Sequence, residues 1–381
     1  MAVKRIGVIG GGQLAWMMGL VAPSLGIELI VQTPSSDDPA VKRATNTVLG
    51  AIADAKATAR LASLCDVITF ENEFINLAAL QSLARQGVIF RPSLDSLAPL
   101  LDKYQQRSYL QSIGLPVPQF SLLEKATDLQ QPICNNFPLV LKARRHGYDG
   151  QGTFIVKNAA ELKGIWHKYN CPSMLVEEFI PYAKELAIMV ARNSKGEIIT
   201  YPVVETKQKQ QVCHWVIAPA PVSQAVKNKV TEIAKTLAEK LQLIGIFGIE
   251  LFLGAGDNIL VNEIAPRTHN SGHYTLDACN VSQFEAQLRA VGDFPLIAPA
   301  MKSAASVMVN LLGYENSHND YLAKRQQLAE LPHSYIHWYD KEESRLGRKL
   351  GHATVLLSDN QYARATEFAR KIESLWYLSV S

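Results

Sequence analysis

Over its first hundred residues the chain alternates short apolar runs with amphipathic stretches. Arg5–Ile9, Glu28–Val31, Val67–Phe70 and Val88–Phe90 read as strands, and Ala55–Leu64 and Leu77–Gln86 as helices between them. That alternation predicts an open α/β unit with a parallel sheet. Arg91–Pro99 closes it, and Asp102-Lys103 opens a helix that runs to Gly114-Leu-Pro-Val-Pro118, a linker into a second domain. The pattern then changes to strands with few helices: Phe137–Lys142, Thr153–Val156, Met174–Ile180 and Glu185–Val190. Gln224–Leu241 repeats its apolar positions (Val226, Val230, Ile233, Leu237, Leu241) at helical spacing and reads as core-facing scaffold. Gly248–Leu253 and Ile259–Val261 flank the glycine, aspartate and asparagine cluster Gly254–Asn258, a hairpin signature. Ala304–Leu312 and Tyr335–Tyr339 are later strands.

Composition narrows the class. With 381 residues the chain exceeds one ordinary core, so two or three domains are expected. Its 48% hydrophobic and 19% charged content describes a globular chain. A net charge of +3 without a basic stripe argues against nucleic acid. No window is apolar enough to span a bilayer, and the N-terminus runs straight into a strand instead of a signal peptide. The five scattered cysteines lack metal-ligand spacing and fit reduced thiols in a cytoplasmic protein.

The candidate chemistry gathers at strand ends. A hairpin at Gly254–Asn258 would set Glu250 opposite Glu263, two like charges that oppose pairing unless a divalent cation such as Mg²⁺ sits between them. After Glu263 come Pro266, Arg267, His269, Asn270 and His273, donors suited to anions. Gly10–Met18 forms a strand–glycine turn–helix whose N-terminal amides offer an anion site. Gly10, Gly12 and Ala15 even satisfy a dinucleotide pattern, but the second strand ends in Gln32-Thr33 with no acid for a ribose diol. Phe70-Glu71-Asn72-Glu73 places two acids at a strand end, as a solvated loop or as contacts to a polar ligand. Between Lys142 and Thr153, three glycines with basic neighbours suit either a lid closing over phosphates or a plain flexible hairpin. Glu177, Glu178 and Glu185 are spread carboxylates of a type that could hold an adenine amino group and a ribose diol. Lys341, Arg345, Arg348 and Lys349 form a solvated turn or a phosphate-recognising hairpin.

Read together, GGGQL, FENE, YDGQG, EEFIP, GIELFL, NEIAPRTHNSGHYT and LGRKLGH resemble the ATP-grasp superfamily and, within it, the N5-carboxyaminoimidazole ribonucleotide synthases of purine biosynthesis. The resemblance covers nearly the whole chain. It implies an α/β and α+β three-domain ATP-grasp fold whose N-terminal Rossmann-like sheet (residues 1–98) binds the acceptor nucleotide. Residues 99–295 would form the ATP-grasp region, with a lid at about 115–182, and residues 296–381 would complete the acceptor phosphate site. The implied reaction uses ATP and bicarbonate to make carboxyphosphate, whose carboxyl passes to the amine of 5-aminoimidazole ribonucleotide. ATP would meet Lys103, Lys142, Gly147, Tyr148, Asp149, Gly150, Gln151, Gly152, Thr153, Glu177, Glu178, Phe179, Ile180, Glu185, Asn262 and Glu263. Glu250 and Glu263 would hold Mg²⁺; Arg267, His269, Asn270 and Asp149 would be catalytic. Gly12, Gln13, Leu14, Glu73, Tyr148, Lys341 and Arg348 would bind the nucleotide acceptor. A cytoplasmic homodimer handing its product to a downstream mutase is implied too.

Four stretches depart from the family pattern: Ala15-Trp16 stands where Gly-Arg is usual, Asn72-Glu73-Phe74 alters the acidic motif, Gln151 replaces a usually basic residue and Gln208 a common histidine. The metal acids and the Arg267–His273 block are intact. A different acceptor, a non-catalytic nucleotide-binding paralogue and a dinucleotide-dependent oxidoreductase are the alternatives.

Overall fold

The computed structural model describes residues 3–145 and 152–377. Its first sheet holds β1 (Arg5–Ile9), β2 (Glu28–Thr33), β3 (Asn46–Leu49) and β4 (Val67–Phe70), parallel throughout in the order β3-β2-β1-β4. Strands covered on both faces need near-continuous apolar runs, and Ile6, Val8, Ile9, Ile68 and Phe70 are all buried. Val88–Phe90 does not become a full strand. It contributes one bridge, Phe90 to Ile68, because Pro92 offers no N–H to extend the ladder.

The second sheet is antiparallel: β5 (Phe120–Leu123), β6 (Leu139–Ala143), β7 (Thr153–Val156) and β8 (Met174–Glu178), ordered β5-β8-β6-β7. The third contains β9 (Lys184–Arg192), β10 (Ile198–Thr200), β11 (Val204–Lys209), β12 (Val212–Ala218), β13 (Gly245–Leu253), β14 (Ile259–Ala265), β15 (Ala305–Leu312), β16 (Ser334–Trp338) and β17 (Lys349–Leu357). Its order is β14-β13-β9-β11-β12-β15-β17-β16, with β10 beside β9. Strands on both sides of residue 296 therefore share one sheet, joined where β12 pairs with β15.

Helices lock these sheets around a common centre. Gln224–Leu241, capped by Ser223 Oγ accepting from Val226 N at 3.2 Å, buries Val226, Val230, Ile233 and Leu237 against Leu186, Ile188, Phe247 and Ile249. The helix Gln283–Val291 turns Phe284, Leu288 and Val291 into the same cluster as Val8, Met17 and Met18 of the first unit. Burial of each such side chain is worth about 1.5–3 kcal/mol, so the first sheet is fastened to the third. Trp16 belongs to that seam, edge-on to Tyr339 with ring centroids 5.9 Å apart. The C-terminal helix Tyr362–Trp376 covers β15 and β17 through Ala365, Ala369, Ile372 and Trp376. None of the described helices is long and apolar enough to cross a membrane, and no disulfide joins the cysteines among the described residues.

Candidate active site

A cavity of about 1660 Å³ lies where the three sheets meet. Its wall carries Gly12, Gln13, Leu14, Glu73, Lys103, Lys142, Thr153, Glu177, Glu178, Phe179, Ile180, Glu185, Glu250, Asn262, Glu263, Arg267, His269 and Asn270. Gly147, Tyr148, Asp149, Gly150 and Gln151 lie outside the described residues; Gly152 leads into β7 and is not part of the wall.

One end is built by the acid hairpin. Glu250 of β13 pairs directly with Glu263 of β14, as expected, but turn symmetry is not the reason. Leu253 faces Ile259 and Leu251 faces Val261, so regular pairing would set Glu250 against Asn262. A one-residue bulge at Asn262 moves the register by one. A bulge leaves two residues opposite one, and Asn262 and Glu263 both reach the cavity. Glu250 and Glu263 keep 29% and 39% side-chain exposure to it. Burial pushes the Glu250 carboxyl up to about 7, with Glu263 and Glu185 adding to the effect. For Glu263 burial also opposes ionisation, but Lys103, 2.6 Å away, and then Lys142 outweigh it and hold the carboxyl down at about 2. Asn262 Nδ2 stands 3.4 Å and His269 Nε2 3.5 Å from Glu250. Two facing carboxylates, one short of positive partners, fit a hard divalent cation.

Beside the hairpin lies a cationic cluster. Asp102 caps the helix Lys103–Ser112 by accepting from Tyr104 N and Gln105 N at 3.0 and 3.1 Å, which aims Lys103 at Glu263. One turn on, Arg107 is buried and donates to the Val261 and Asn262 carbonyls at 2.5 and 2.9 Å and to the Glu177 carboxylate. Lys142 Nζ lies 2.6 Å from Glu177 and 3.2 Å from Asn262 Oδ1. Burial lowers the Lys142 pKa against the pull of Glu177, whereas Glu177, despite its own burial, is held low by Lys142 and Arg107. The two shifts agree physically, since two cations share one carboxylate and an incoming anion would restore the balance. Glu177, expected at the adenine, spends its carboxylate on this cluster. Glu178 likewise accepts from Gln119 N at 2.7 Å. Tyr182 stacks on Phe252 at 4.7 Å near Glu185, whose carboxyl burial raises.

The other end belongs to the first sheet. Glu71 does not lie in a solvated loop; it stands at the cavity wall. It is buried and accepts from the amides of Gly12, Leu14 and Ala15 at 2.6, 3.0 and 3.3 Å. The anion site expected at this helix N-terminus is thus filled by the protein's own carboxylate, and a dinucleotide pyrophosphate has no place there. Gly10 makes the arrangement possible: its φ of +126° is open to glycine, and a Cβ would come within 2.4 Å of Glu71. Gln13 remains available, and its Oε1 accepts from Lys341 Nζ at 2.9 Å. Glu73 pairs with Arg267 at 2.9 Å and so bridges the two ends. Lys349 lines the cavity, while Arg348 donates to the Glu343 carbonyl at 2.7 Å and Arg345 pairs with Glu343, neither on the wall. Ala15 and Trp16 are core residues behind the wall, so their departure from the usual pattern does not touch the cavity. Gln208 does line it.

The loop after β14 is clamped from below. Asn270 and Asn310 of β15 exchange reciprocal amide bonds of 2.9 and 2.7 Å, and His269 Nδ1 meets Ser271 Oγ at 2.9 Å. Sequence reasoning missed Arg107, Gln283 and Asn310. Each is polar and buried, but that burial is visible only once helices and strands far apart in the chain come together.

The ribonucleotide synthetase preATP-grasp domain matches residues 3–99, the ATP-grasp domain residues 108–284, and the phosphoribosylaminoimidazole carboxylase C-terminal domain residues 306–366. The N5-carboxyaminoimidazole ribonucleotide synthase of Synechococcus elongatus is 52% identical over 374 residues, covering 98% of this chain and 94% of that one. The chain belongs to the N5-carboxyaminoimidazole ribonucleotide synthase family. It is an ATP-grasp ligase. Among solved members, the Thermotoga maritima enzyme superposes with a TM-score of 0.86 at 38% identity over 98% of both chains. The Aspergillus clavatus synthase, solved with ADP and 5-aminoimidazole ribonucleotide, gives a TM-score of 0.89 at 30% identity over 98% of both chains.

Proposed function

We propose that this chain carboxylates 5-aminoimidazole ribonucleotide, using ATP and bicarbonate, and that the cavity's two ends divide the work. The observation that carries the reading is their joining by the Arg267–Glu73 pair, with acids and lysines on one side and Gln13 and Lys341 on the other. ATP lies along Lys103, Lys142 and the backbone of Glu177–Ile180, with Glu185 at the ribose. Glu250, Glu263 and Asn262 would hold Mg²⁺, which would supply charge neutralisation for the phosphates. Lys142 and Lys103 stabilise the γ-phosphoryl group as bicarbonate oxygen bonds to phosphorus and the bond to ADP breaks. Arg267, His269 and Asn270 then bind carboxyphosphate away from water. The acceptor's exocyclic amine enters from the Gln13 and Glu73 side, its phosphate toward Lys341 and Arg348, with Tyr148 and Asp149 beside the ring. The same reading includes a cytoplasmic homodimer and transfer of the product to a mutase. Phosphate release measured with ATP, bicarbonate and aminoimidazole ribonucleotide tests it: the nucleotide must stimulate release, and no stimulation would sink the assignment.

A further inference from the structure

His273 closes the loop that begins at Arg267 and is the last of its expected anion donors. The residue is 1% exposed and lines the cavity. Phe284 and His352 flank its ring, with centroids 5.6 and 5.2 Å away. Its decisive contact is with Gln283, the fully buried first residue of the helix Gln283–Val291.

The backbone fixes how that amide is turned. The His269 N–H can only donate, and it lies 2.9 Å from Gln283 Oε1. The other branch is therefore the NH₂ group, which donates to the His269 carbonyl at 2.7 Å and meets His273 Nδ1 at 3.0 Å. An NH₂ has only hydrogens to offer, so Nδ1 must accept, and the proton of the neutral ring resides on Nε2. Burial drives the His273 pKa well below the ordinary imidazole range, with Lys349, His269, His337 and Arg267 acting in the same direction. The ring is neutral at physiological pH. Nε2 meets no hydrogen-bond acceptor among the described residues. Gly272 leaves room for the clamp, since a Cβ there would come within 2.6 Å of Gln283 Oε1.

We propose that His273 is a further anion-binding residue of the cavity, presenting a neutral Nε2–H to the carboxyl oxygen of the group being transferred, and that Gln283 is the positioning residue that fixes this tautomer. The inference rests on the carboxylation reading for the identity of the anion. As the amine nitrogen bonds to the carboxyl carbon, the carbon–oxygen bond to phosphate breaks. Inorganic phosphate leaves with the electron pair and takes the amine proton. Charge grows meanwhile on the carboxyl oxygen, and a neutral N–H aimed at it stabilises that charge without surrendering its own proton.

Nitrogen-15 NMR of the full-length, histidine-labelled protein reads the tautomer directly, with His273 identified by the signals lost in His273→Gln. The expected result at pH 7 is a protonated Nε2 and a bare Nδ1. Gln283→Glu exchanges the donating nitrogen for an accepting oxygen and should move the proton to Nδ1. It should also lower kcat for nucleotide-stimulated phosphate release by about 10²-fold, the scale of one lost oxyanion donor, with KM for ATP little changed. His273→Gln, which retains an N–H at similar reach, should keep about tenfold more activity than His273→Phe. A wild-type His273 protonated on Nδ1, or on both nitrogens, overturns the proposal, as do equal losses in the Gln and Phe variants. The NMR result needs no acceptor. If the nucleotide fails to stimulate the wild type, the carboxylation reading falls while the tautomer measurement stands.

Discussion

Two strand ends deliver glutamates to this cavity, and the protein treats them in opposite ways. At the end of β4, Glu71 is surrounded by three backbone amides within 3.3 Å and satisfied by the fold itself. At the β13–β14 hairpin, Glu250 faces a second carboxylate, and its polar contacts among the described residues, Asn262 and His269, are no closer than 3.4 Å. The first arrangement is architecture: its charge is spent on pinning a helix. The second leaves charge over, and a ligand must complete it. An acidic residue at the mouth of an open sheet is therefore evidence of binding only when the protein has not already answered it.

The sharpest break of this contrast is Glu263→Gln. Removing one of the facing carboxylates should lower Mg²⁺-dependent ATP turnover by at least about 10³-fold while the thermal transition stays within a few degrees; preserved turnover would dismantle the hairpin side of the comparison. Next comes Glu71→Gln, which keeps one accepting oxygen but turns an NH₂ toward one or two of the three amide donors. Leaving such groups unsatisfied costs about 1–3 kcal/mol each way, so unfolding should occur at clearly lower denaturant, whereas ATP binding by the surviving folded protein should hold.

The hairpin also predicts a pH signature without metal. The Glu250 carboxyl is raised from 4.5 to about 7, so the folded state binds that proton more tightly than the unfolded chain does. The metal-free protein should lose stability as pH rises from about 4.5 through 7, by up to about 3 kcal/mol. Glu250→Gln should flatten that loss in denaturant titrations across the same window, and saturating Mg²⁺ should offset it in the wild type. The smallest effect belongs to Lys341→Ala: a rise of about tenfold in KM for the nucleotide acceptor with KM for ATP nearly constant. An equal rise in both would move Lys341 away from the acceptor.

Where local chemistry decides an element, the sequence was readable. Arg5–Ile9 and Gln224–Leu241 form with the expected bounds, since an unbroken apolar run and a capped 3.6-residue period leave few options. β11, Val-Glu-Thr-Lys-Gln-Lys, and the short β3 were not legible, because their places are set by neighbouring strands instead of their own patterning. The site divides similarly. Glu250, Glu263, Arg267 and His269 stand out by spacing and charge, whereas Arg107 sits in a helix rich in polar residues that looks solvated until β8 and β14 cover it. Glu71 was legible as an acid at a strand end, but only the fold reveals that its partner is the chain's own backbone.

The extra residue at Asn262 has a consequence that can be stated as parity. On β14, Ile259 and Val261 point into the core with the helix Gln224–Leu241, and so does Ile264. Odd positions face inward before the bulge and even ones after it. Counted strictly by twos, Glu263 would share the face of Val261 and drive a carboxylate among leucines and isoleucines. The irregularity resets the count, so that one strand serves a hydrophobic layer with its first half and an ion with its second. Deleting Asn262 would make Leu251–Val261 and Glu250–Glu263 consecutive pairs and leave Ile264 facing the core, so the fold should survive the loss of the extra residue while the contacts that Asn262 makes to Lys142 and Glu250 disappear.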